Sequence, residues 1–198
     1  MRNIYLASAS ERRQEILNKA GISFVKMVAD VSEEIDEMRP EKAVEEISRR
    51  KGSYVAQNVS QYENYLVIAA DTLVYADGEL LGKPDDELQA REGLRMLSGH
   101  SHQVVTGVSL FYDVYEIDGT RLHKSITFHS ITNVNVAELS ERDIDEYIES
   151  REWEGKAGGY AIQGLFCKYV SSIEGEYDNV VGFPIAKFYS EATKLGIL

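Results

Sequence analysis

The longest uninterrupted apolar run, Leu66 to Ala70, is broken by Asp71-Thr72 and resumes as Leu73 to Tyr75. A run of that length without polar alternation predicts a strand buried on both faces, at the centre of a sheet. Asp77-Gly78 follows it as a two-residue hairpin loop leading to a second short strand. Upstream, residues 3 to 8 read as a short strand, and Ser10 caps a helix that runs to about Ala20 with Gly21 past its end. Ile22 to Val28 predicts another strand, and Pro40 opens a long helix to about Val59. Downstream come a helix from about Asp86 to Leu97, stopped at Gly99, and two long β-rich segments, 103–116 and 121–136, turning around Asp118-Gly119 as an antiparallel ribbon. Ser140 caps a helix to about Glu149, glycines gather in 155–164, and a last helix follows Pro184. The order is mixed α/β with a large antiparallel share.

Three prolines, no low-complexity stretch, no internal repeat and no linker make residues 1–198 read as one cooperative unit, long enough to bury its own core. The single cysteine, Cys167, excludes an intramolecular disulfide and a cysteine-based zinc cluster, in keeping with a reducing, cytoplasmic compartment. The apolar residues Ile4 to Ala7 are too few for a signal peptide, and no run approaches the roughly 20 residues of a membrane span. A formal net charge of −12 repels nucleic acid polymers. A small anion remains acceptable wherever cations are gathered locally.

Four places offer such chemistry. In Ser8-Ala9-Ser10-Glu11-Arg12-Arg13 a strand runs into a helix N-terminus, where free amides, two hydroxyls and two guanidinium groups suit phosphate. Arg13 precedes Ile16 and Leu17 by three and four residues and falls near the buried stripe; a capped helix with a snorkelling arginine is the plainer account. Asp71-Thr72 puts a carboxylate into a buried strand, and such a group needs a partner. With Asp77 and Gly78 as loop residues, Lys83 falls opposite Thr72 and beside Asp71, either as a structural ion pair or as an acid with a phosphate-binding cation at hand.

On the helix from Pro40, the stripe Val44, Ile47, Tyr54 and Val55 faces inward, and Lys51 lies on it four residues beyond Ile47. Glu33 and Glu34, just before that helix, offer oxygen ligands to a hard cation such as Mg²⁺, or are solvated loop carboxylates. In Lys156-Ala-Gly-Gly-Tyr-Ala-Ile-Gln-Gly164 the glycines permit close backbone approach to a ligand, and Gln163 has an amide able to read a base edge; the same glycines also suit ordinary turns.

Taken together, LASASERR, AADTLVYADGELLGKP, LSGHSHQVVTGVSL, KAGGYAIQG and YDNVVGFP resemble, in order, the Maf family of nucleoside triphosphate pyrophosphatases, over roughly residues 4 to 190. The resemblance implies a mixed, largely antiparallel twisted sheet with flanking helices, two lobes around a cleft, akin to inosine triphosphate pyrophosphatases. It implies that Asp71 is the proton acceptor, that Ser8, Ser10, Arg12, Lys51 and Lys83 hold the triphosphate, and that Glu33 joins Asp71 in handling Mg²⁺ or Mn²⁺. Arg13, Thr72 and Gln163 occupy the positions associated with base choice and resemble the dTTP/UTP subgroup rather than the one acting on 7-methyl-GTP. A nucleoside triphosphate is the implied partner, and a homodimer the implied assembly. Glu11 and Trp153 stand where the family commonly has proline, and Phe183 where leucine is commoner. Rival readings are a 7-methyl-GTP or inosine triphosphate pyrophosphatase, a regulator that binds a triphosphate without cleaving it, and a ribbon-based interaction protein.

Overall fold

The computed structural model describes residues 2–34, 36 and 39–198. The apolar run becomes β3 (Tyr65–Ala76), flanked early by β1 (Asn3–Leu6) in parallel and late by β4 (Glu79–Leu81) in antiparallel fashion. On its other side lies β5 (Ser101–Tyr115), which pairs with β6 (Arg121–Val136), and that in turn with β7 (Val170–Glu174). With β2 (Val25–Lys26) beside β1, the seven strands form one sheet in the order β2-β1-β3-β5-β6-β7, with β4 attached to β3 alone. The fold is mixed α/β with a largely antiparallel sheet, as the hydrophobic pattern predicts.

Helix α1 (Glu11–Lys19) begins at Ser10, whose side chain accepts the Arg13 amide, and buries Ile16 and Leu17 against one face of the sheet. Helix α2 (Pro40–Val59) lies on the opposite face, where Val55, Ala56 and Val59 pack on Tyr65, Val67 and Ala69. Helices α3 (Glu87–Leu97), α4 (Glu141–Glu149) and α6 (Ile185–Lys194) share the larger core with α1. Helix α4 starts in a capping box between Ser140 and Asp143. β-strand alternation thus sends Val67, Ala69 and Asp71 toward α2, and Leu66, Ile68, Ala70 and Thr72 toward the other face.

One gap in the sheet sets the rest. β1 pairs with β3 only as far as Ile68, and β4 takes over only at Val74. Between those points, among the described residues, β3 has a strand neighbour on the β5 side alone, where Asp71 faces Gly107 and Thr72 faces Thr106. Into the vacated side the chain leaving β1 brings Ser8 and the start of α1, the position beyond a strand's carboxyl end where α/β sheets commonly hold ligands.

Several expectations need correction. The strand expected over Ile22 to Val28 shrinks to Val25–Lys26, at the sheet edge, with both residues exposed. Tyr54 is exposed rather than part of the α2 stripe, because the helix meets the sheet through the small residues Ser48, Gly52 and Ala56, which turns the stripe away from Tyr54. Strand β7 and the one-and-a-half-turn helix α5 (Tyr177–Val181) carry too few residues to leave a periodic signature. Among the described residues no helix is long and apolar enough to cross a membrane.

The approach of α2 depends on Gly107, since a methyl group there would collide with the Val44 carbonyl and the Glu45 amide of the helix backbone. Gly107→Ala is therefore expected to destabilise the fold by about 1–3 kcal/mol, the usual range for overpacking. Urea unfolding of the variant beside its parent measures this; equal midpoints would disprove it.

Candidate functional site

A cleft of about 480 Å³ opens at the gap, lined by Ser10 and the first turn of α1 with Arg12 and Arg13, from β3 by Asp71 and Thr72, and also by Ser8, Glu33, Lys51 and Lys83. Residues scattered over the first 83 positions are thereby brought to one place.

Asp71 is 7% exposed, and its Oδ1 accepts a hydrogen bond from Lys51 Nζ at 2.6 Å. The same ammonium reaches Glu33 Oε1 at 2.8 Å, and Glu33 Oε2 meets Lys83 Nζ at 3.3 Å. Burial pushes the Asp71 carboxyl above the ordinary carboxylate range, and the charge and hydrogen bond of Lys51 pull it back without overcoming that push. Glu33 behaves oppositely: burial pushes it up, but Lys51 and Lys83 together hold it below its ordinary value. Adjacent carboxylates are thus driven apart, one toward holding a proton and one toward staying ionised.

The hairpin register is the expected one, with Val74 opposite Leu81 and Ala76 opposite Glu79, yet Lys83 does not sit on Asp71. The ladder ends at Leu81, and the Gly82 carbonyl turns away to accept the Gly158 amide at 2.9 Å. Lys83 therefore swings to Glu33, and the inward lysine of α2 takes the Asp71 position.

On the other face of β3, Arg13 is 7% exposed, donating from Nη1 to Ser8 Oγ at 2.6 Å and from Nε to the Gly182 carbonyl at 3.0 Å. Burial lowers its pKa to about 10, so the guanidinium stays charged at neutral pH. Ser8 Oγ also accepts the Ser10 amide, which fixes the turn between β1 and α1. Burial likewise lowers the Arg12 pKa. The first-turn amides of Glu11 and Arg12 have no helical carbonyl four residues back, and both residues line the cleft.

Gln163 stands apart: it is exposed, in the turn just before the short 3-10 segment Leu165–Tyr169, and does not line the cleft. The glycine segment contributes Gly155, Lys156, Ala157 and Tyr160 instead. Trp153, where the family commonly has proline, is buried in the main core with its indole Nε1 unpartnered among the described residues. Phe183 fills the core against Phe188, and Glu11 does line the cleft. Sequence reasoning assigned no role to Lys156, Tyr160 or Gly182. Their only signal was membership of the KAGGY and YDNVVGFP segments.

Tyr160 is backed by His102, whose Nε2 lies 2.8 Å from the phenol oxygen while Nδ1 is buried without a partner among the described residues. Burial pushes the imidazole down from 6.5 to about 4. A histidine depressed in the folded state loses its contribution to stability as pH falls, because the unfolded chain takes up the proton first. Stability is expected to drop by about 3 kcal/mol between pH 6.5 and 4 through this group. Denaturation of His102→Gln beside the parent across that window should show a flatter acid limb in the variant; parallel limbs would contradict it.

The chain matches the family of Maf-like proteins over residues 3–195. A dTTP/UTP pyrophosphatase of Lachnoclostridium phytofermentans is 42% identical over 198 residues, covering 100% of this chain and 97% of that protein. A dTTP/UTP pyrophosphatase of Koribacter versatilis is 43% identical over 196 residues, with 98% and 95% covered. One from Bacillus thuringiensis subsp. konkukian is 40% identical over 198 residues, with 100% and 97% covered. Of solved structures, the Ham1 protein of Staphylococcus aureus is similar with a TM-score of 0.45 at 15% identity, over 69% of this chain and 73% of that one. A match that runs from β1 to α6, and identity sustained along nearly the whole of each relative, make this chain a member of the Maf family.

Proposed function

We propose that this protein hydrolyses dTTP and UTP to the nucleoside monophosphate and pyrophosphate, with Asp71 as the proton acceptor. The observation that carries the reading is the Asp71 carboxylate itself, buried at the gap in the sheet, raised in pKa and flanked by Lys51, Glu33 and Lys83. The substrates are taken from the relatives named as dTTP/UTP pyrophosphatases, which this chain matches along nearly their whole length.

In the reaction, Asp71 takes a proton from a water as its oxygen bonds to the α-phosphorus and the bond from that phosphorus to the bridging oxygen breaks. A carboxylate whose pKa is raised toward the working pH is a better acceptor for that proton than an ordinary one. Lys51 and Lys83 offset charge on the phosphates, Arg12 and the amides at the start of α1 hold the departing pyrophosphate, and Ser8 and Ser10 keep that turn in place.

The Asp71 and Glu33 carboxylates are neighbours, each bonded to the Lys51 ammonium, which would have to move off the point between them to admit a cation there. Two hard oxygen donors completed by phosphate oxygens suit Mg²⁺ or Mn²⁺, so Asp71 and Glu33 are the residues that would hold the cation. Bound there, such a cation would neutralise phosphate charge and polarise the phosphoryl group.

Asp71→Asn is expected to lower pyrophosphate release from dTTP by about 10²–10⁴-fold, the usual share of a general base. The same variant should be at least as stable as its parent at pH 7. A carboxyl raised in the folded state contributes stability that is lost as pH rises through its folded pKa, so the ionised form is a cost at neutral pH. Pyrophosphate assays on dTTP, UTP, CTP, ITP and 7-methyl-GTP, with thermal melts of both proteins, decide the matter. Full turnover by a folded Asp71→Asn would remove Asp71 from the role. Nucleotide binding without turnover by the parent would make the protein a regulator. Preference for ITP or 7-methyl-GTP would move the substrate.

A further inference from the structure

The half of the cleft facing away from α2 has a different lining. Val74, Val104, Val180, Val181 and Tyr160 give it apolar walls, which suit the faces of a flat ring. Two polar groups meet there across Gly182. A Cβ added to Gly182 would stand 3.8 Å from Thr72 Oγ1 and 3.9 Å from Arg13 Nη2, so a hydroxyl and a guanidinium nitrogen flank one point. Nη2 is the nitrogen that neither the Ser8 bond nor the Gly182 bond uses.

The Thr72 hydroxyl has one proton, and its neighbours decide where it points. Thr72 Oγ1 lies 2.9 Å from Thr106 Oγ1 and 3.5 Å from the Gly182 carbonyl, while Thr106 Oγ1 lies 3.2 Å from the Asn179 carbonyl. A hydroxyl donates once and accepts up to twice. If Thr106 donates to Asn179, Thr72 donates to Thr106. If Thr106 donates to Thr72, Thr72 donates to Gly182. Either way the proton is turned inward, and turning it outward forgoes one of these bonds. Thr106 is fully buried, as is Asn179, whose Nδ2 is tied to the Val104 carbonyl and Thr132 Oγ1, so the arrangement is held from behind.

We propose that Thr106 is a positioning residue for base choice: it holds Thr72 as an acceptor only, so that Thr72 reads a ring N–H while Arg13 donates to a neighbouring ring carbonyl. The matching chemistry is a pyrimidine imide, in which N3–H lies between two carbonyl groups. Cytosine has a bare N3 and an amino group instead, and meets an acceptor with a lone pair. The inference rests on the pyrophosphatase reading and adds to it a physical cause for preferring uracil and thymine over cytosine.

The test is kcat/KM for UTP and for CTP in the parent, Thr106→Val, Thr106→Ser and Thr72→Val, with a thermal melt of each. The parent should favour UTP by at least about tenfold, as expected for a site whose polar groups are left unpaired by the wrong ring. Thr106→Val should narrow that ratio several-fold through KM with kcat on UTP little changed, Thr106→Ser should keep it, and Thr72→Val should lose it. Thr106→Ala, which removes the same hydroxyl, replaces the valine variant if that one does not fold. A folded Thr106→Val or Thr106→Ala with the parent's ratio overturns the inference, and so does a parent that favours CTP or treats the two alike while releasing pyrophosphate from both. A parent that cleaves neither nucleotide brings down the pyrophosphatase reading and this inference with it.

Discussion

A strand inside a sheet ordinarily has a neighbour along both edges, and among the described residues β3 lacks one between Ile68 and Val74. That missing neighbour is the constraint on which the cleft depends. It lets the turn after β1 enter the plane of the sheet, and it gives side chains on both faces of one strand access to the same cavity. Had β1 continued or β4 begun earlier, Asp71 would be sealed in a core where an ionised carboxylate costs several kcal/mol.

The two faces then divide the chemistry. Toward α2 the strand presents Asp71, and the helix answers with Lys51, which it can bring to 2.6 Å because Gly107 offers no side chain in the way. Away from α2 the strand presents Thr72, met by Thr106 from β5 and by the Gly182 carbonyl after α5. Arg13 spans from α1 to the same carbonyl, so the start of the chain and a segment near its end are joined through one backbone oxygen. The ion pair at Asp71 is a weak source of stability, as buried pairs usually are, and its value lies in holding a carboxylate ready where water and phosphate can reach it.

Much of this was legible in the sequence because it rests on local rules. Ser10 capping α1, Pro40 opening α2 and the two-residue loop at Asp77-Gly78 are short-range signals, and helical spacing alone turned Lys51 inward. What failed were inferences that crossed an element boundary. Extending the ladder past Gly82 puts Lys83 beside Asp71, but there the backbone bonds Gly158 rather than β3. Apolar spacing puts Tyr54 inside because it does not reveal that α2 meets the sheet through serine, glycine and alanine. Gln163, Trp153 and Gly182 lie in irregular segments whose orientation is fixed by tertiary contacts with no period to read. Of the residues implied by the family resemblance, Gln163 is the one the fold leaves outside the cleft.

Because Asp71 and Thr72 are consecutive on an extended strand, the groups for proton transfer and for base contact are one peptide bond apart yet point in opposite directions. Evolution can therefore rewrite one by point substitution without displacing the other, so new substrates can be explored on an unchanged reaction. Insertions and deletions have no such freedom. Losing or gaining a single residue between Ile68 and Asp71 would exchange the two faces for the whole remainder of the strand, delivering the acid to the apolar wall and the hydroxyl to the lysines. Descent through this segment is open to changes of letter and closed to changes of length.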